Sequence, residues 1–146
     1  MYSAAMNQMP ERRDPILWRV LEAAHQLEAR LEAALAAVGL SLPKVGVLRI
    51  LADAKEPLPL SELAEHSHCV RSNMTQLVDR LEADGLVRRV PDAEDRRIRR
   101  ASLTLAGRKA CEQGIRIVET HEREVARALN PAEASALALG LGRLVS

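Results

Sequence analysis

The sequence predicts a mainly α-helical fold with one small β-hairpin, and three observations point to it. Among 146 residues there are one Trp, one Tyr and no Phe, so aliphatic side chains must build the core. Cores rich in Leu and Ala favour helices over sheets of β-branched and aromatic residues. Apolar residues recur at helical spacing over most of the chain, except in two short extended runs on either side of a charged segment. An all-β sandwich is therefore excluded.

The composition is that of one globular domain, with 47% hydrophobic and 28% charged residues. No apolar run reaches the roughly 20 residues that span a bilayer, and the N-terminal residues lack the basic and apolar blocks of a signal peptide. We therefore expect a cytoplasmic protein that does not enter membranes. Cys69 and Cys111 form no CxxC pair, which predicts reduced thiols without a disulfide framework or a structural zinc site.

Capping signals and apolar spacing predict the first two helices. Asp14 and Pro15 begin a helix whose apolar residues repeat every three or four positions until Gly39 ends it. A helix of about 24 residues is long for so small a chain, so we expect its apolar stripe to pack on another subunit. Ser41 begins a second helix, which runs to about Ala54 before the KEPLP segment breaks it.

Two short helices joined by a tight turn are predicted in the middle of the chain. A short extended piece at 58–60 precedes a compact helix from about Ser61, and a turn follows at 66–70. The next helix should run from Arg71 to Asp84, with Gly85 as its end. Such a pair forms a helix-turn-helix, in which the second helix reads DNA when the fold is used for that purpose.

A β-hairpin with a long basic tip follows this helix-turn-helix. Residues 86–90 and 101–105 are strand-like, and residues 91–100 between them are polar and charged. From Arg71 to Lys109 the chain has ten basic and six acidic residues, although its total net charge is only +1. This local concentration indicates a surface for a polyanion, while an ordinary solvated charge run is the alternative. Hairpin and helix pair together predict a winged helix-turn-helix.

Two further helices complete the predicted fold. A long helix runs from Leu105 to about Leu129, and Asn130-Pro131 separates it from a last helix at 132–145 that is too apolar to face water all round. Apolar helices at both chain ends predict a homodimer built from the termini. The organisation is one structural domain with an N-terminal arm and dimerisation helix (1–40), a winged helix-turn-helix region (41–106) and C-terminal dimerisation helices (107–146).

In this order, these features resemble the MarR (multiple antibiotic resistance regulator) family of bacterial transcription regulators. The resemblance covers about Leu42 to Gly107. It rests on the segments LSELAEH, RSNMTQLVDRLEADGLVRRV and DAEDRRIRRASLTLAG. The most specific element is the Asp-x-Arg pair at 95–97 followed by Leu-Thr-x-x-Gly at 103–107.

The resemblance implies a sequence-specific regulator of transcription that binds double-stranded DNA and is not an enzyme. It implies homodimers whose recognition helices enter successive major grooves and whose wings touch the flanking minor grooves. The operator should then be a pseudo-palindrome with half-sites about one helical turn apart. Repression by covering a promoter is the usual mode in the family, and a small, often aromatic or phenolic, molecule releases it. No cofactor or metal is implied, and the bound protein would be associated with the nucleoid.

The resemblance and the predicted elements together give candidate site residues. Arg80 is expected at a phosphate and Arg97 in a minor groove, while Asp95 should orient a nearby Arg, since its own charge repels phosphate. The predicted DNA-binding set is Arg71, Ser72, Asn73, Thr75, Gln76, Arg80, Asp95, Arg97 and Arg99. An effector crevice would be lined by Trp18, His25, Leu42 and Val45.

Two other functions remain open. The turn reads Ser67-His68-Cys69-Val70, where the family commonly has a Gly between apolar residues and then a Ser- or Asp-type cap. With His66, this turn gathers soft ligand types, which makes a metal-responsive or thiol-responsive regulator of the same fold one alternative. A protein-interaction adaptor that does not bind DNA is the other, although it would have no need of an arginine-rich wing. The chain has no glycine-rich phosphate loop and no nucleophile elbow, which argues against an enzyme.

Overall fold

A computed structural model describes residues 15–67 and 71–146, and within them the chain forms six α-helices and three β-strands. Their bounds are α1 Ile16–Ala36, α2 Leu42–Asp53, β1 Leu58–Pro59, α3 Leu60–His66, α4 Arg71–Ala83, β2 Val87–Pro91, β3 Arg99–Leu103, α5 Leu105–Ala128 and α6 Pro131–Leu144. The strands form one antiparallel sheet in the order β1-β3-β2. The chain divides into two compact units, residues 1–30 and 31–146. The predicted helical fold with a small hairpin is confirmed.

Local capping explains why several helices begin and end where the sequence predicts. Gly39 follows α1 with a φ of 75°, a conformation that costs glycine little. The Ser41 hydroxyl oxygen accepts a hydrogen bond from the N–H of Lys44 at 3.3 Å and so begins α2. Asn130 and Glu133 cap α6 reciprocally, each side chain accepting from the other residue's backbone N–H at 2.9 Å.

The core lies where α2, α3, α4, α5 and the sheet meet. The face of α4 that packs on the core carries Met74, Val78 and Leu81, which are fully buried, and Leu77, which is partly buried. None of the buried side chains in the described part of the chain is polar or charged. The burial of one face of α4 leaves its opposite face to solvent. Other large buried side chains are Leu35, Val47, Leu48, Leu63 and Val87.

A junction of backbone and hydroxyl groups joins α4, the hairpin and α5. The Thr104 hydroxyl donates to the Gly85 carbonyl at 2.7 Å and accepts from the Gly107 N–H at 2.9 Å, which caps α5. The N–H of Thr104 donates to the Leu86 carbonyl at 3.1 Å. A β-carbon on Gly107 would lie 1.9 Å from that carbonyl oxygen, so this close approach requires glycine. The Leu-Thr-x-x-Gly motif therefore fixes the exit of the hairpin to the end of α4.

The hairpin loop is shorter than the sequence predicts. The antiparallel ladder pairs Pro91 with Arg99 and Val90 with Arg100, so the loop covers 92–98 instead of 91–100. Charged arginines look like loop residues in the sequence, but the backbone of Arg99 and Arg100 pairs with β2, while the Arg99 side chain is exposed and that of Arg100 bonds to Asp92. The second strand also ends earlier than predicted, because Thr104 leaves the sheet to cap α5.

Both terminal helices carry exposed apolar side chains. In α6, four leucines are 41–62% exposed: Leu137, Leu139, Leu141 and Leu144. In the unit formed by residues 1–30, three large side chains are 64–73% exposed: Ile16, Leu17 and Trp18. Contiguous apolar surface of this kind is uncommon on a monomer and marks interaction sites. Across the described residues, no helix combines the length and hydropathy needed to cross a membrane.

Replacing Gly107 with Ala is expected to lower the free energy of unfolding by about 1–3 kcal/mol or more, as overpacking does. The new β-carbon would collide with the Leu86 carbonyl oxygen, which is backbone and cannot swing aside. The matched control is Gly46→Ala in α2, where the added carbon would meet no atom within 4 Å beyond the backbone of its own helix. Because Ala favours helices over Gly, the control should be neutral or stabilising by up to ~1 kcal/mol. Urea unfolding followed by circular dichroism measures both, and equal effects would contradict the proposed junction.

Candidate nucleic-acid interface

Helix α4 turns its polar side chains away from the core. Arg71 and Ser72 begin this helix, but their side chains lie outside what the structure describes. The polar side chains exposed along the rest of the helix are Asn73, Thr75, Gln76, Asp79, Arg80 and Glu82. Amide, hydroxyl and guanidinium groups of this kind hydrogen-bond to base edges and phosphates, whereas the two carboxylates would oppose a phosphate backbone.

Arg89 of β2 binds both of these carboxylates. Its guanidinium donates to Asp79 and to Glu82 at 2.5 Å each, and to the backbone carbonyl of Thr75 at 3.4 Å. Partial burial lowers the pKa of Arg89, but the hydrogen bonds and charges of the two carboxylates outweigh this effect and raise the pKa above its usual value. The first strand of the hairpin therefore supplies a cation to the acidic part of α4.

Asp92 organises the loop of the hairpin. It accepts hydrogen bonds from the backbone N–H groups of Glu94 at 3.1 Å and Asp95 at 3.0 Å, and from Nε of Arg100 at 2.5 Å. The Arg100 bond first, and then the two backbone bonds, lower the pKa of the Asp92 carboxyl. Arg100 also donates to the Pro57 carbonyl at 3.0 Å, which ties the base of the loop to the segment before β1.

Asp95 holds Arg97 at the loop surface. Its carboxylate accepts from Nε and Nη2 of Arg97 at 3.1 Å each and from the Arg97 backbone N–H at 3.0 Å. The Arg97 side-chain bond is the main reason that the pKa of Asp95 is lowered. The Arg97 side chain nevertheless remains 91% exposed. A guanidinium held in this way would lose less conformational entropy on entering a groove.

Sequence reasoning missed several residues of this surface. Arg88 and Arg96 are exposed beside the predicted arginines, and the charge run alone could have named them. The roles of Arg89, Asp92 and Arg100 were not predictable from the charge run, because they depend on register. Arg100 pairs with Val90, so Asp92 is its diagonal neighbour across the hairpin, and the spacing of Asp92 and Arg100 was the one available signal.

Two of the four predicted crevice residues border a cavity of about 400 Å³ between α2 and α5. The lining is Leu42, Val45, Gly46, Arg49, Ile115, Val118 and Glu119. The walls are thus mostly apolar, with one cation and one carboxylate. Trp18 and His25 belong to the first unit, where Trp18 borders a shallow groove on α1 and His25 is exposed.

The turn with soft ligands falls mostly outside the described residues, which exclude His68 and Cys69. His66 ends α3 and is exposed. Residues 15–67 and 71–146 contain no group of three His, Cys, Asp or Glu side chains placed to hold a metal ion. Cys111 is buried, and this burial raises the pKa of its thiol, so that little reactive thiolate is present.

Comparison with known proteins gives one family and one characterised relative. Residues 40–98 match the MarR family. BadR of Rhodopseudomonas palustris, a transcriptional activatory protein, is 32% identical over 99 residues. The matched segment covers 66% of this chain and 57% of BadR, so the chain matches little more than half the length of this curated relative.

Solved structures share the fold over nearly the whole chain. A probable transcriptional regulator from Pseudomonas aeruginosa aligns with a TM-score of 0.76 and 27% identity, covering 90% of this chain and 97% of that one. A mutant MarR from E. coli, complexed with operator DNA, aligns with a TM-score of 0.77 and 24% identity, covering 90% and 94%. The predicted winged helix-turn-helix architecture is thereby confirmed.

The Asp92 carboxyl should titrate below the ordinary pKa of an aspartate, and Arg100→Met should raise its pKa by removing its main partner. Because the folded pKa is the lower one, the carboxylate stabilises the hairpin fully above the unfolded pKa. This contribution is lost as the pH falls through the folded value. A carbon-detected NMR titration of the side-chain carboxyls measures both values. The control Arg97→Met should move Asp95 instead, and an Asp92 pKa unchanged by Arg100→Met would contradict the assignment.

Proposed function

The chain belongs to the MarR family, and on that premise we propose that it regulates transcription by binding double-stranded DNA. Helix α4 enters the major groove, and the hairpin, as the wing, reaches the adjacent minor groove. One observation carries this proposal: the exposed polar face of α4 stands beside an arginine-bearing wing, and both are joined at Thr104 and Gly107. The predicted contacts of Arg71, Ser72, Asn73, Thr75 and Gln76 with DNA remain part of the proposal.

The distribution of charge supports DNA over a protein partner. The wing exposes four arginines within a short stretch: Arg88, Arg96, Arg97 and Arg99. Each cation that meets a phosphate releases condensed counterions, which is the main source of affinity for a nucleic acid. An adaptor that binds a neutral protein surface gains nothing from such a cluster. Arg80 on α4 extends the same positive surface towards the phosphate backbone.

The exposed leucines of α6 support a homodimer. A second copy of the chain would cover this apolar surface, and a two-fold axis would present two α4 helices to one face of the duplex. Half-sites would then lie about one helical turn apart in a pseudo-palindromic operator. Dimerisation also doubles the number of phosphate contacts without any new binding surface.

The direction of regulation is a finer part of the proposal. We expect repression, because a dimer that covers a promoter blocks polymerase. The likeness to BadR, which is described as a transcriptional activatory protein, favours activation as the second candidate. A reporter carrying the operator distinguishes the two, because adding the protein lowers expression in one case and raises it in the other.

The cavity between α2 and α5 is the proposed effector site. Its apolar walls at Leu42 and Val45 and the Arg49 cation suit a small aromatic or phenolic molecule. Lys44, next to Val45, forms an ion pair with Asp84 at 2.8 Å just beyond the end of α4. An effector that moves α2 would therefore act on α4 directly, provided that it binds the two arrangements with different affinity.

The affinity for a duplex selected from a randomised library should fall steeply as salt increases. If two subunits together meet roughly 6–10 phosphates, the slope of log affinity against log salt should be about −5 to −9. Fluorescence anisotropy at four or more salt concentrations gives this slope for the full chain. A slope near zero, or no binding to any duplex at low salt, would favour the adaptor.

Substitutions in the wing should lower affinity, whereas substitutions in α4 should change sequence preference. Arg97→Ala removes a guanidinium from the minor groove, where the hydrogen-bonding groups of the base pairs are nearly alike. Binding should therefore weaken by about 1–2 kcal/mol per subunit with little change in sequence preference. Gln76→Ala or Asn73→Ala removes a partner for a base, so discrimination at one or two positions should relax by about 1–3 kcal/mol. Competition among operator variants measures both. If Arg97→Ala alters preference at the half-site while the helix variants do not, the placement of α4 in the major groove is wrong.

A further inference from the structure

We propose that Arg89 is a positioning residue for DNA binding: it masks the carboxylates of Asp79 and Glu82 on α4 and does not itself contact DNA. This inference rests on the proposed DNA-binding function of α4. Arg89 lies outside the predicted DNA-binding set, and both acids lie on the helix that carries most of that set. The three side chains form one cluster, which we call the masking cluster.

The masking cluster places its acids outward and its cation inward. The side chains of Asp79 and Glu82 are 57% and 40% exposed, whereas that of Arg89 is 20% exposed. Asp79 follows Gln76 by three residues and therefore shares its side of the helix. A duplex that lies along α4 would approach the carboxylates before it reached the guanidinium.

The sheet register explains why Arg89 faces α4. Arg89 pairs with Ala101, which is fully buried, so both residues point to the side of the sheet that packs on the core. Its neighbour Arg88 pairs with Ser102 and points to the other side, where its side chain is exposed. Strand alternation thus separates two adjacent arginines, one directed to α4 and one to solvent.

The planar guanidinium suits this task because each acid has its own nitrogen. Nη2 donates to Asp79 and Nη1 to Glu82, so one side chain binds two carboxylates at the same time. A lysine ammonium carries the same charge but lacks this fixed fork. Without the arginine, each subunit would turn two unscreened carboxylates towards phosphates, and a homodimer four. Repulsion of this kind should weaken binding on the order of tenfold or more.

A direct phosphate contact by Arg89 is the competing explanation, and a mutant cycle separates the two. Arg89→Gln is made in the native chain and in a background that carries Asp79→Asn and Glu82→Gln. The matched control is Arg88→Gln, which makes the same charge change at the adjacent strand position. Dissociation constants for the selected duplex are measured at several salt concentrations, and circular dichroism checks the fold of each variant.

Masking predicts that Arg89→Gln lowers the affinity of the native chain for the duplex on the order of tenfold. In the neutral background the loss should shrink to about twofold or less, the limit within which independent sites behave additively. In the neutral background the salt slope should stay unchanged, because Arg89→Gln then removes no phosphate contact and uncovers no carboxylate. Arg88→Gln should change the dissociation constant by the same factor in both backgrounds.

Equal losses for Arg89→Gln in both backgrounds, or no loss in the native chain, would overturn the inference. If Arg89→Gln unfolds early, Arg89→Lys goes through the same cycle. The loss of affinity caused by Arg89→Lys should be smaller than that of Arg89→Gln in the native chain and absent in the neutral background. Equal losses of affinity in the two backgrounds would again overturn masking. Failure of the native chain to bind any duplex would instead refute the proposed function, so the two failures are distinguishable.

Discussion

The contact between the backbone of Leu86 and the start of α5 at Gly107 is the constraint on which the rest of the structure depends. Thr104 bonds across the same point to Gly85, which has a φ of 72° and ends α4. The end of α4, the first strand of the hairpin and the beginning of α5 thus meet within a few ångströms. Because a β-carbon has no room there, the backbone of α5 at Gly107 can approach the Leu86 carbonyl this closely only as glycine.

On this frame, four acids of the proposed DNA surface are held by arginines of the same surface. The pairs are Asp79 and Glu82 with Arg89, Asp92 with Arg100, and Asp95 with Arg97. Of the exposed arginines that α4 and the hairpin carry within the described residues, four form no ion pair: Arg80, Arg88, Arg96 and Arg99. A near-neutral chain can in this way present a positive surface, because its local acids act as internal partners that shape the wing.

The sequence predicted the helices well because their ends are local events. Ser41, Gly85 and Asn130 each act within a few residues, so that spacing alone locates them. The predicted wing loop was too long, because Arg99 and Arg100 belong to a strand only through their pairing with β2. The sequence could not predict the proposed masking role of Arg89 for the same reason, since that role depends on the register between β2 and β3. Of the crevice that the family resemblance implied, Leu42 and Val45 do line a cavity.

The central claim is that α4 and the wing read DNA as one unit, presented twice by a two-fold axis. Hydroxyl-radical footprinting of the full chain on its selected operator tests this claim most directly. We expect protection from cleavage that is symmetric about the centre of the operator. The outer protected stretches should lie in the minor grooves that flank two half-sites about one helical turn apart. At protein concentrations that saturate the operator, only the outer protected stretches should weaken in the Arg97→Ala protein. A one-sided footprint, or a loss of all protected stretches together in that variant, would contradict the claim.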